Sequence, residues 1–382
     1  MDKATRDFLI ILSAHFFFFL NFSELILLPK YLLLLGLEPL EIGMVMGSFS
    51  VAVVIALPVV GLVSETLSRK FLFMLGSALM ALPTFLYPRI EALGPGLFFL
   101  RVFQGVGFAC AFGVAGAMVS DGISVSGRRQ LLGILTVVGI LTHALGPAMG
   151  EYLIQASGYP ALFRSAALFG LVSCGISMFI PSRISGGLRG ISDVRLAFGP
   201  FVSTALLGVI FGSVVIFLPP YLVMQGVNNS SPFFIAFVLG SILVWTVLHR
   251  GIRHLRDEVA WVVSSLLLVF LLAFMGSVDR PSMLCTLSLL FGVGYGYLYP
   301  TLNAAVIEAN PSLKGVANSA FVWSFNVGML LASVGFGSLC DLVGYEAAFR
   351  AVAVLGGVLL AAAGVVGPRE TTQVARTMGR SQ

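Results

Sequence analysis

The feature that most constrains this chain is its rhythm, in which long apolar runs are separated by short polar breaks. A helix needs about 20 mostly apolar residues to cross a bilayer. By that rule spans are predicted at 8–34, 40–63, 71–90, 95–120, 130–153, 160–181, 197–224, 232–249, 259–277, 282–307, 315–340 and 346–366. Lipid offers the backbone no hydrogen-bond partners, so segments of this length must be helices. Composition agrees: 58% of residues are hydrophobic and 10% charged, where a soluble domain carries about 25% charged residues. The expected fold class is an all-α integral membrane protein with twelve transmembrane helices. The first apolar stretch, from Phe8 to about Leu35, exceeds the core of a signal peptide, roughly 7–15 residues, and is expected to stay as a span.

Six of the runs precede a polar stretch from Pro181 to Arg195 and six follow it. The two sides read as copies of one plan. Gly158-Tyr159-Pro-Ala161-Leu-Phe163-Arg164 returns 186 residues later as Gly344-Tyr345-Glu-Ala347-Ala-Phe349-Arg350. Gly105-Val-Gly107 against Gly292-Val-Gly294, Asp121 against Glu308, and Arg128 against Lys314 recur near the same offset. Self-similarity at this period indicates a duplicated half-molecule. The expected organisation is a bundle at 1–181, a cytoplasmic linker at 182–196, a second bundle at 197–366 and a tail at 367–382.

The net charge of +5 does not point to nucleic acid, because the basic residues are scattered between apolar runs. Basic residues in short loops orient membrane proteins. With the N-terminus inside, sixteen Lys and Arg fall on the inner side, among them Lys3, Arg69, Lys70, Arg183 and Arg253. The outer side holds five: Lys30, Arg89, Arg280, Arg164 and Arg350. Both termini are therefore expected in the cytoplasm, with the protein in the plasma membrane. Cys110, Cys174, Cys285 and Cys340 lie in or beside apolar segments with no close pair, so they are expected as small buried residues.

Few polar residues interrupt the spans. Helix 4 carries Arg101 with Gln104 three residues on, on the same helical face. Placing a guanidinium there costs at least about 2.5–3.5 kcal/mol, so it should face protein or a wet cavity. Helix 1 carries Asn21 and Glu24. A buried carboxylate near an arginine can gain and lose a proton, or form a static pair that locks two helices. Helix 5 carries Gly133, Gly139, Thr142, His143, Gly146, Pro147, Gly150 and Glu151. Its glycines make a smooth stripe for a helix that slides, and His143, like His15, is read as a packed residue. Between helices 2 and 3, Gly61, Glu65, Arg69 and Lys70 form a clamp or merely set topology.

These stretches resemble the major facilitator superfamily. Leu97…Arg101-x-x-Gln104-Gly105-x-Gly107 is similar to that family's helix 4 motif. Gly61-x-x-x-Glu65-x-x-Ser68-Arg69-Lys70 is similar to its helix 2–3 loop motif, with Glu65, Thr66 and Ser68 as departures. Gly133…Gly146-Pro147-x-x-Gly150 resembles the helix 5 motif of its exporters, with Thr142 and Glu151 where glycines are expected. The resemblance implies two pseudo-symmetric six-helix bundles. It also implies Arg101 in proton relay or substrate coordination, Glu24 lining the cavity opposite, and Glu65, Arg69 and Lys70 stabilising the outward-facing state. The helix 5 glycines would form a hinge seam against helix 8.

In the second half, Tyr299, Asn303, Trp323 and Asn326 offer stacking and hydrogen bonding without fixed charge. The expected function is secondary transport of a small organic solute by alternating access, with proton-coupled efflux favoured. Uptake of a sugar or organic acid, and a non-transporting receptor or scaffold on the same fold, remain as alternatives. An enzyme would need clustered catalytic groups, whereas His15, His143, His249 and His254 form no ligand spacing. No cofactor, metal or nucleic acid is expected; the expected partners are a small-molecule substrate, protons and the lipid bilayer, and the expected state is a monomer.

Overall fold

The computed structural model describes residues 3–64, 66–120, 125–182, 198–244, 246, 257–278, 280–308 and 314–357. Among them all regular structure is helical. Helix α1 runs Lys3–Glu24 and, after a 3-10 turn at Leu25–Leu27, continues as Leu28–Leu34. There follow α2 (Pro39–Val63), α3 (Arg69–Thr84), α4 (Pro95–Ser120), α5 (Val125–Ser157) and α6 (Tyr159–Ser177). Then come α7 (Phe198–Met224), α8 (Ser231–Leu243), α9 (Asp257–Met275), α10 (Pro281–Glu308) and α11 (Lys314–Val343). The twelfth helix, α12, is described over 345–357. Nine of the described helices are long and apolar enough to cross a membrane, and Ser231–Leu243 and Val259–Met275 are shorter apolar helices.

The break in α1 has a local cause. Pro29 has no N–H to offer the Leu25 carbonyl, so the Leu28 N–H takes that carbonyl in a tighter turn. The turn follows Glu24 directly, so the buried carboxyl sits at a joint in the helix.

The chain divides into two compact units. The first comprises Met1–Gly190 with Leu222–Ile235, the second Ile191–Tyr221 with Ala236–Gln382. The linker expected at 182–196 lies, apart from Ser182, outside the described residues, as does the tail at 367–382.

In the first unit α4 packs between α2 and α3 at backbone distance. Gly105 faces the Phe49 carbonyl, and a Cβ on Gly76 would come within 2.5 Å of the Gly107 oxygen. Without hydrophobic drive between helices in lipid, such small-residue contacts carry the packing. In the second unit Gly292 faces the Phe237 carbonyl, and Gly208 faces that of Phe325 across α7 and α11. The α2–α4 contact and the α8–α10 contact are thus the same device used twice.

The duplication extends to corners and hydroxyls. Four glycines adopt positive φ: Gly36 and Gly158, then Gly226 and Gly344 at the corresponding turns. Tyr31 packs on Tyr159 and Phe163 with ring centroids 5.3 and 5.1 Å apart. Tyr221 does the same with Tyr345 and Phe349 at 5.5 and 6.0 Å. The Tyr31 hydroxyl donates to the carbonyls of Tyr87 and Ile90, and that of Tyr221 to the carbonyl of Gly276.

Two sequence expectations shift. Helix α5 extends beyond the expected 130–153 at both ends, because its polar termini continue the turn pattern that a hydropathy window truncates. Lys30, expected as an outer-loop charge, lies inside the second segment of α1 and is buried at 3% exposure. Its ammonium meets a carboxylate from α5 instead of solvent.

Candidate functional site

The chemistry of the first unit lies in polar side chains buried between its helices. One group centres on Gln104, which is fully buried in α4. Its Oε1 accepts from the Tyr87 hydroxyl at 2.7 Å and from Arg101 Nη1 at 3.0 Å. Its Nε2 donates to Thr84 Oγ1 at 3.0 Å, and the Thr84 hydroxyl donates to the Met80 carbonyl. The Arg101 guanidinium also lies over the Phe49 ring, 4.5 Å from its centroid. This is a buried cation held by neutral groups and a π face. The i, i+3 pairing of Arg101 and Gln104 follows from helical spacing, whereas Tyr87 and Thr84 come from neighbouring parts of the chain.

Asn21 and Glu24 form the second group, on the side of α1 that meets α6. Asn21 Nδ2 donates to the Ala166 carbonyl at 2.5 Å, while its Oδ1 is buried with no hydrogen-bond partner. Both carboxyl oxygens of Glu24 lie close to Ser165 Oγ, at 3.0 and 2.9 Å, and Ser165 Oγ also reaches the Leu162 carbonyl at 2.8 Å. Among the described residues no ion pair joins Glu24 to Arg101. Each has its own neutral partners.

The third group joins α1 to α5 at the two residues that depart from the exporter-like pattern. Thr142 Oγ1 meets Ser23 Oγ at 3.0 Å, and Glu151 pairs with Lys30 at 2.7 Å. Gly146 lies against Ser23 and the Glu24 amide, and Gly150 against Leu27 and Leu162. In this structure these two glycines make the contact of α5 with α1 and α6. Gly139 faces His15 and Phe19, Pro147 is accommodated inside α5, and Gly133 is exposed with open space beside it. His143 Nδ1 lies 3.0 Å from the Gly139 carbonyl, with its ring against Phe19 and Phe22.

At the start of α3, Lys70 Nζ donates to the Met178 carbonyl and Ser68 meets Ser182 at 3.0 Å, so this corner is tied to the end of α6. Arg69 is buried and Gly61 is exposed. Glu65, the acid expected to complete this motif, lies outside the described residues, as do Arg183, Arg253, His249 and His254.

The second unit gathers aromatic rings. Tyr299 stacks on Tyr295 at 5.3 Å and meets the edges of Phe321 and Phe325. Trp323 stacks on Phe201 at 5.6 Å. Asn326 Nδ2 donates to the Val322 carbonyl one turn back, and Asn303 Oδ1 is buried without a hydrogen-bond partner.

Sequence reasoning missed Ser165, Tyr87, Thr84 and the Lys30–Glu151 pair as parts of these groups. Glu151 carried a signal, since a carboxylate stood where a glycine was expected.

Residues 10–311 match the Major Facilitator Superfamily. An uncharacterised MFS-type transporter of Methanocaldococcus jannaschii is 23% identical over 338 residues, covering 84% of this chain and 87% of that protein. The multidrug resistance protein MdtL of a Shewanella species is 26% identical over 121 residues, covering 31% of this chain and 30% of its own length. Among solved structures, the nucleoside transporter NupG superposes with a TM-score of 0.77 at 14% identity, covering 94% of this chain and 98% of that one. Twelve helices in order, two halves built on one plan, and a match running from the first span into the tenth lead to one assignment: this chain is a multi-pass membrane transporter that belongs to the Major Facilitator Superfamily.

Proposed function

We propose that this transporter exports a small organic solute in exchange for protons, by alternating access, with Glu24 as the proton carrier. The observation behind this reading is the hydrogen-bond arithmetic at Ser165. One hydroxyl proton faces three acceptors: both carboxyl oxygens of Glu24 and the Leu162 carbonyl. A proton on Glu24 supplies the missing donor, and its loss leaves the carboxylate sharing that hydroxyl. Among the described residues Glu24 has no ion pair to break on exchanging a proton, and an ionisable residue inside a span is a functional candidate by default. Asn21, Arg101 and Gln104 complete the polar lining assigned to the first unit, and Tyr299, Asn303, Trp323 and Asn326 the lining assigned to the second. Aromatic and amide groups of this kind suit an amphipathic, weakly cationic or zwitterionic solute.

Efflux is favoured by the exporter-like pattern of α5 and by relatives named for multidrug and bicyclomycin resistance. Gly61, Glu65, Arg69 and Lys70 are assigned to stabilising one conformation, and Gly133, Gly139, Gly146, Pro147 and Gly150 to the moving seam. The distribution of basic residues favours cytoplasmic termini, a plasma-membrane location is the setting for such efflux, and the transporter is taken to act as a monomer.

A second reading, proton-coupled uptake of an organic acid, is favoured by Arg101, a buried guanidinium with neutral hydrogen-bond partners. One experiment separates the two. Proteoliposomes with an imposed pH gradient are screened with weakly cationic, zwitterionic and anionic solutes, comparing the intact protein with Glu24→Gln. Exchange of a cationic or zwitterionic solute against protons, lost in Glu24→Gln, supports the first reading. Anion movement in the direction of the protons supports the second. Flux that ignores both gradient and substitution removes Glu24 from the mechanism.

A further inference from the structure

We infer that Lys30 and Glu151 act together as a detachable anchor for residues 228–230, gating release of the stretch between α7 and α8 from the first unit. The inference builds on the alternating-access reading but does not depend on Glu24 as the proton carrier.

The geometry is complete at both charges. Lys30 Nζ donates to Glu151 Oε1 at 2.7 Å, to Oε2 at 2.8 Å and to the Asn228 carbonyl at 2.7 Å, which uses all three ammonium protons. Glu151 Oε1 also accepts from the Ser230 amide at 2.9 Å and the Ser230 hydroxyl at 2.6 Å. The two side chains are 3% and 1% exposed. Lys30 therefore turns its third proton onto Asn228, and Glu151 turns Oε1 onto Ser230, two residues of one short stretch.

A buried ion pair is poor evidence of stabilisation, because desolvation offsets most of the attraction. Helix packing does not explain it either, since the second half builds the equivalent corner with uncharged residues at the two matching positions, its ion pair there, Glu346–Arg350, being exposed. Leu28-Pro29-Lys30-Tyr31 corresponds to Leu218-Pro219-Pro220-Tyr221, so proline stands in the place of Lys30. Counting back from the paired turn glycines Gly158 and Gly344, Gly337 stands in the place of Glu151. The tyrosine–tyrosine–phenylalanine packing forms in both halves regardless. What the first half has in addition is the grip on residues 228–230.

That stretch is the part of the second sequence half that packs within the first unit. Residues Leu222–Ile235 belong there, while the chain on either side, to Tyr221 and from Ala236, belongs to the second unit. Release of the stretch requires the carbonyl of Asn228 and the amide and hydroxyl of Ser230 to leave the pair. Dry, the cluster holds by charge-assisted hydrogen bonds; once wetted, an exposed ion pair of this kind holds little. The anchor therefore has two states.

The test is hydrogen–deuterium exchange on the purified full-length protein in detergent micelles. It compares the intact protein with Lys30→Met, Glu151→Gln and the doubly neutral Lys30→Met/Glu151→Leu. The amides from Gln225 to Ser230 are expected to exchange together, at least about tenfold faster in each variant, while peptides from α4 stay as in the intact protein. The double variant covers the case in which a lone buried charge disrupts the corner, since it leaves no charge behind. Unchanged exchange across this stretch in the double variant, or a change confined to the Ser230 amide, overturns the inference. Glu24→Gln is expected to leave exchange here unaltered, so loss of proton coupling and loss of the anchor are read separately.

Discussion

Gln104 joins three buried side chains of the first unit, Tyr87, Arg101 and Thr84, through its one amide group. Replacing it with leucine keeps the volume but leaves the Tyr87 hydroxyl and the Arg101 Nη1 without their shared acceptor. Each orphaned buried group costs about 1–3 kcal/mol. Gln104→Leu is expected to lower the thermal unfolding midpoint in detergent clearly, and an unchanged midpoint would show that water replaces the amide. The Arg101–Gln104 pair was legible in the sequence because three residues on a helix fix which side chains meet. Ser165 was not, because its encounter with Glu24 joins positions 141 residues apart. The same holds for Lys30 and Glu151, which are 121 residues apart. Lys30 reads as an outer-side charge because it stands near the end of the first apolar run, and position along the chain does not show the neighbour across the bundle.

At the scale of helices, packing rests on where a methyl group fits. A Cβ on Gly105 would meet the Phe49 carbonyl and, at 2.7 Å, the Ala52 Cβ. Gly105→Ala must push α4 away from α2 and is expected to cost about 1–3 kcal/mol, read as a lower midpoint in thermal unfolding. Gly133→Ala adds a methyl in open space and is expected to be neutral or to stabilise by up to about 1 kcal/mol. Equal effects at the two positions would contradict this account of the α2–α4 contact. The order of the helices could be read from apolar run lengths alone. Their ends could not, since α5 runs past its hydropathy limits and α1 breaks where Pro29 withholds an N–H. The glycine pattern showed that helices approach closely but not which ones, because a small residue fits any neighbour. Gly146 and Gly150 meet α1 and α6 in this structure.

For the whole molecule, duplication was the most legible property, and the structure deepens it to individual atoms. The Tyr31 and Tyr221 hydroxyls donate to carbonyls at matching places in the two halves. Tyr31→Phe and Tyr221→Phe are each expected to cost about 1 kcal/mol, the buried Tyr221 no less than Tyr31, measured as paired shifts in thermal unfolding. The groups proposed to carry function lie where the halves stop matching: Glu24 with its hydroxyl partner, Arg101 with its neutral ones, and the Lys30–Glu151 pair all belong to the first half. The most direct test of the central claim uses proteoliposomes loaded with a pH-sensitive dye, to which a transported solute is added. The account predicts solute-dependent proton movement with the intact protein and none with Glu24→Gln. Solute movement of equal rate in both, with no change of internal pH, would contradict it.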